Sequence, residues 1–76
     1  MVINFTIESL KQDMRYINDL IGYEGIGACE EAALQLVERM EGLLETTTNE
    51  KIANFVLDNY CSYKGLYDLA HEINMA

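Results

Sequence analysis

Proline is missing from this 76-residue chain, histidine occurs once, and only five residues are basic against 13 acidic. Without proline the strongest interruption to helices is gone, and the five glycines are left as the punctuation. The two cysteines, Cys29 and Cys61, are too few for a disulfide scaffold and form no CxxC pair. No apolar run approaches the roughly 18 residues of a transmembrane helix, and the opening MVINFTIE lacks the basic residues and long apolar run of a signal peptide. These absences lead to the expectation of a cytoplasmic protein with reduced thiols. The shortage of cations gives a formal charge of −8. A field of that sign repels nucleic-acid phosphates and anionic lipid, so neither direct nucleic-acid binding nor membrane binding is expected, and it favours encounter with basic proteins.

What is present is apolar periodicity at helical spacing. Half of the residues are hydrophobic, too many for disorder, and the length suits one small domain, taken as residues 1–76. The clearest pattern is ACEEAALQLVERMEGLLE, Ala28 to Glu45. At 100° per residue, Cys29, Ala32, Ala33, Leu36, Val37, Met40, Leu43 and Leu44 form one side, and Glu30, Glu31, Glu38, Glu41 and Glu45 form the other. This second helix is expected to be central in an all-α fold, a small antiparallel bundle of three to four helices.

Before it, residues 2–7 alternate loosely but have no second strand to pair with, which suggests an extended lead-in. Thr6 then reads as an N-cap, with Phe5 and Leu10 spaced as a hydrophobic staple, so a first helix is expected from about Ile7 to Ile21. Its core stripe is Ile7, Leu10, Met14, Ile17 and Ile21, with Tyr16 and Tyr23 pointing nearly the opposite way. Gly22, Gly25 and Gly27 should end that helix and turn the chain. They do not make a phosphate loop, because a preceding strand, a lysine and the GxGxxG order are all missing.

After the second helix, Thr47 to Glu50 reads TTNE, which fits a capping box for a third helix. From Ile52 to Ile73 the apolar residues stay on one side of a continuous wheel, although Ser62, Lys64 and Gly65 interrupt the sequence. A break near Cys61 to Gly65 is favoured, since a glycine inside a helix costs about 1 kcal/mol. An unbroken helix of about 25 residues would reach some 37 Å, overhang shorter neighbours and call for a second chain.

No catalytic, cofactor or metal constellation emerges. The carboxylates of the second helix face away from its apolar stripe, and the lone His71 is not set three or four residues from an acid in a bundle interior. Cys29 lies within an apolar stripe, where a thiol behaves as a small hydrophobe with a raised pKa, and Cys61 has only Lys64 as a nearby cation. A non-catalytic interaction module is therefore expected. Its candidate contacts are Leu34 as an apolar anchor ringed by Glu30, Glu31, Glu38 and Glu41, then Glu45 on the same face, together with the aromatics Tyr60, Tyr63, Tyr67, Tyr16 and Tyr23. In size, acidity and lack of catalytic groups the chain resembles, as a class, small inhibitors encoded by bacteriophages such as anti-restriction and anti-CRISPR proteins. That likeness implies a protein partner that normally binds nucleic acid. The second reading is a structural homo-oligomer, a homodimer pairing through the C-terminal helix.

Overall fold

A computed structural model describes residues 2–76 of the protein, with side chains from residue 5 onward. Three helices follow one another, α1 (Val2–Glu24), α2 (Glu30–Thr46) and α3 (Glu50–Met75), with a 3₁₀ turn (Ile26–Cys29) leading into α2. The described residues contain no strand. The Asp13–Arg39 ion pair ties α1 to α2, while His71 meets Glu30 and Tyr60 meets Glu41. Residue numbers therefore run in opposite directions across the α2–α3 seam. Contacts of α1 with α3 ascend together, from Lys11 over the Phe55 ring to Asn18 beside Tyr63.

The extended lead-in and the Thr6 cap are both corrected, because α1 is already helical from Val2. An isolated strand has no partner for its backbone groups, whereas a helix satisfies them within itself, and this outweighs the low helix propensity of the β-branched residues here. Thr6 lies inside the helix and Phe5 is 73% exposed while Leu10 is fully buried, so the staple does not form. The side chains of Ile3 and Asn4, which alternation would set on opposite sides of such a lead-in, lie outside the described ones. At its other end α1 passes through Gly22 and stops at Gly25, whose φ of +94° is the left-handed backbone that glycine adopts without penalty. The Gly25 amide donates to the Ile21 carbonyl, closing the last turn.

The core is built where the three apolar stripes meet. Leu10, Met14 and Ile17 from α1 pack with Cys29, with Ala33, Leu36 and Met40 from α2, and with Ile52, Val56 and Ala70 from α3. Each stripe follows the helical period, so burial, rather than any one polar contact, fixes which face of each helix turns inward.

The capping box shifts by two residues. Asn49, not Thr47, is the N-cap of α3: its side-chain oxygen accepts from the Ile52 amide at 3.2 Å. The Thr47 hydroxyl instead accepts from the Asn49 amide at 3.1 Å, which holds the loop in shape for the cap. Asparagine outranks threonine at this position, so the stronger capping residue takes it.

The break at Cys61 to Gly65 is also corrected: α3 is a single helix of 26 residues. Gly65 is exposed on its outer side, while Val56 before it and Ala70 after it are fully buried. A local penalty of about 1 kcal/mol is smaller than the packing that would be lost by bending either half away. At about 39 Å α3 matches the 40 Å long axis of the molecule. It does not overhang as expected, because α1 with 23 residues runs about 34 Å and the 3₁₀ turn extends α2 to about 33 Å. The C-terminal third of α3 lies against that turn, where the Asn74 amide donates to the Gly27 carbonyl at 2.8 Å.

Candidate functional site

The acidic side of α2 divides into two sets. Glu30 and Glu41 stand at the edge nearest α3 and are bound to it. Oε2 of Glu30 is 2.8 Å from Nδ1 of His71, and Oε1 accepts from the Asn74 amide at 2.7 Å. The Asn74 hydrogen bond first, then the His71 hydrogen bond and charge, hold the Glu30 carboxyl below its usual range against the opposing effect of burial. Glu41 accepts from the Tyr60 hydroxyl at 2.5 Å. That bond, more than burial, pushes the phenol above its ordinary pKa, because ionisation would set two anions together. Two of the five carboxylates that turn away from the apolar stripe thus meet polar groups of α3, while Asp68 on that helix pairs with Lys64 at 2.9 Å.

Glu31, Glu38 and Glu45 form the second set, exposed and seven residues apart. Leu34 falls between the two sets and is half-buried rather than fully outward. It helps to line a shallow cleft of about 550 Å³ together with Gly27, Ala28, Glu30, Glu31 and Asn74. The cleft exists because the end of α3 lies over the 3₁₀ turn. A Cβ on Gly27 would come within 2.9 Å of Asn74 Oδ1 and 3.2 Å of Ile73 Cγ2, so a larger residue there would push the Asn74 side chain from its present position. Asn74 and Gly27 were not among the residues suggested by the sequence.

The tyrosines separate into two places instead of forming one surface. Tyr60, Tyr63 and Tyr67 are half-buried and pack against the core from α3. Tyr67 stacks on His71 with ring centroids 5.9 Å apart, and Lys64 stands 5.3 Å above the Tyr67 ring. Burial raises the pKa of the Tyr63 phenol, opposed by its hydrogen bond with Asn18. Tyr16 and Tyr23 stand on the outward side of α1, 60% and 89% exposed.

Cys29 is buried, with its thiol donating to the Ile26 carbonyl at 3.0 Å, and burial raises its pKa as the apolar stripe implied. Cys61 is exposed on α3, and neither thiol is in a disulfide. Among the described residues, no group of three or more His, Cys, Asp or Glu is placed to hold a metal ion, and no helix is long and apolar enough to cross a membrane.

The fold and surface define an acidic three-helix protein with one strongly charged helix face. No protein-family model, curated protein or solved structure matches the chain.

Proposed function

We propose that the protein is a non-catalytic interaction module, acting in the cytoplasm, whose α2 face binds a basic surface on another protein. The partner we favour is one that ordinarily binds nucleic acid. The observation that carries this reading is the line of open carboxylates at Glu31, Glu38 and Glu45 beside the half-buried Leu34. Seven helical residues advance about 10.5 Å, so the three carboxylates spread negative charge along one line of the helix, the sign that a groove built to follow phosphates attracts. Leu34 and its cleft supply an apolar contact that phosphate lacks, which would separate this partner from nonspecific cations. The class-level likeness to bacteriophage inhibitors accords with the same reading.

The test is capture of partners from the native host by the intact protein and by a Glu31→Gln/Glu38→Gln/Glu45→Gln variant, at several salt concentrations. Capture of a nucleic-acid-binding protein that weakens with salt and is lost in the variant is the expected outcome. Binding that is unchanged in the variant and indifferent to salt would refute the electrostatic interface.

A further inference from the structure

We infer that the outward stripe of α1 is a self-association surface on which a second copy of this chain lies antiparallel. Phe5, Tyr16 and Tyr23 are 73%, 60% and 89% exposed. Residues 5 and 23 are five full helical turns apart, and residue 16 deviates from them by only about 20°, so the three rings form one straight line. The other aromatics, Phe55, Tyr60, Tyr63 and Tyr67, pack against the core from α3. Three exposed rings aligned on one helix are more than the scattered apolar residues normal for a monomer.

The spacing is self-complementary. About a two-fold axis on the outer side of α1, at the height of Met14, an antiparallel second copy sets its Tyr23 against Phe5 and its Phe5 against Tyr23, as an isologous contact requires. The two Tyr16 rings then stand about 6 Å apart along the helices, within the range of offset aromatic packing. A parallel arrangement would align the helix dipoles and place Glu8 on Glu8 and Asp19 on Asp19, which disfavours it. At roughly 200 Å² per aromatic side chain, the exposed fractions amount to about 450 Å² per copy. Both copies together contribute at most about 900 Å², with Ser9 and Gln12 between the rings adding to it, which is the size of a weak, transient contact. The dimer is therefore weak.

Charge points to the same face. Each copy carries −8, so most approaches are repulsive. Beside the stripe, however, Glu8 pairs with Lys11 at 3.7 Å and Arg15 at 3.8 Å, and with Asp19 these four charges cancel, which among the described residues leaves Glu24 in the last turn as the one uncompensated charge near the rings. The open carboxylates of α2 belong to a different helix face. Salt should accordingly strengthen self-association by screening the net repulsion, the reverse of its effect on a basic partner.

Sedimentation of the full chain from about 10 μM to about 1 mM, in low and high salt, tests the inference. The expected result is a mass that rises toward twice the monomer, with the transition at lower concentration in high salt. Tyr16→Glu/Tyr23→Glu should weaken dimerisation at least tenfold with unchanged helical circular dichroism. Should that variant lose helicity, Tyr23→Ser in the last turn of α1 provides the same test and should weaken the dimer by a smaller factor. Leu57→Glu on α3, a site 59% exposed, should leave it intact. A wild-type chain that stays monomeric throughout overturns the inference. So does a dimer that survives the α1 substitutions or is abolished by the one on α3.

Discussion

The two helices that present outward faces are held into the molecule in different ways. Leu10, Met14 and Ile17 anchor α1 by burial, and the part-exposed Asp13–Arg39 ion pair joins it to α2. Helix α2 buries an equivalent stripe and is also fastened along its edge to α3 by Glu30, Glu41 and their partners His71, Asn74 and Tyr60. Anchoring mainly by burial leaves the line of Phe5, Tyr16 and Tyr23 on the outer side of α1 unused by the core, and there these aromatics stand exposed. On α2 the fasteners take up some carboxylates and leave Glu31, Glu38 and Glu45 open. Identical-looking glutamates on one helix thus differ in kind according to which neighbour they face.

The largest effect that separates the two anchorings is expected at Leu10. Leu10→Ala should destabilise the fold by about 2–5 kcal/mol, because it leaves a cavity where three helices meet. Chemical denaturation should give nearly the same loss at pH 5 and pH 8 and at low and high salt. A loss that varied strongly with pH would mean that α1 is held by charge after all. On the α2–α3 side, Asn49→Ala should cost about 1 kcal/mol through the lost N-cap, again seen in denaturation.

Polar fastening predicts a dependence on pH that apolar anchoring does not. The Glu30 carboxyl is held below its ordinary value of 4.5. Its contribution is therefore present above that value and is lost as pH falls through the lower folded-state pKa. Glu30→Gln should flatten the acid limb of a stability profile below about pH 4.5 and leave the alkaline limb unchanged. Tyr60 runs the other way, since its pKa is raised above 10.0. Its contribution is present below pH 10 and is lost as pH rises through the folded-state value, so Tyr60→Phe should flatten the alkaline limb instead. Thermal unfolding from pH 3 to pH 11 checks both, and coincident curves for variant and wild type would remove the fasteners from the account of α2.

Much of this was legible from periodicity. The stripe of α2, the outward placement of Tyr16 and Tyr23, the burial of Cys29 and the turn at Gly25 all follow from spacing and glycine chemistry. What failed was the weighing of one local penalty against packing at a distance. Gly65 suggested a break, but Ala70 and Val56 keep both halves of α3 on the same core. That error also hid the cleft. Asn74 and Gly27 are 47 residues apart, and His71 and Glu30 are 41 apart. Only an unbroken α3 running antiparallel to the full length of the 3₁₀ turn and α2 brings either pair together.

The smallest effect on stability distinguishes function from folding on α2 itself. Glu38→Gln touches no partner in the fold and should change stability by less than about 0.5 kcal/mol. Glu30→Gln removes the charge and replaces one of the two oxygens that His71 and Asn74 share with an amide donor, so it should destabilise more than Glu38→Gln at neutral pH. If binding of a basic partner uses the open set, the order reverses in an affinity measurement, where Glu31→Gln, Glu38→Gln and Glu45→Gln weaken capture more than Glu30→Gln. Loss of these charges should also reduce the slope of log affinity against log salt. Equal effects of all four substitutions on affinity would mean that the partner senses only total charge, and the division between bound and open carboxylates would then carry no recognition.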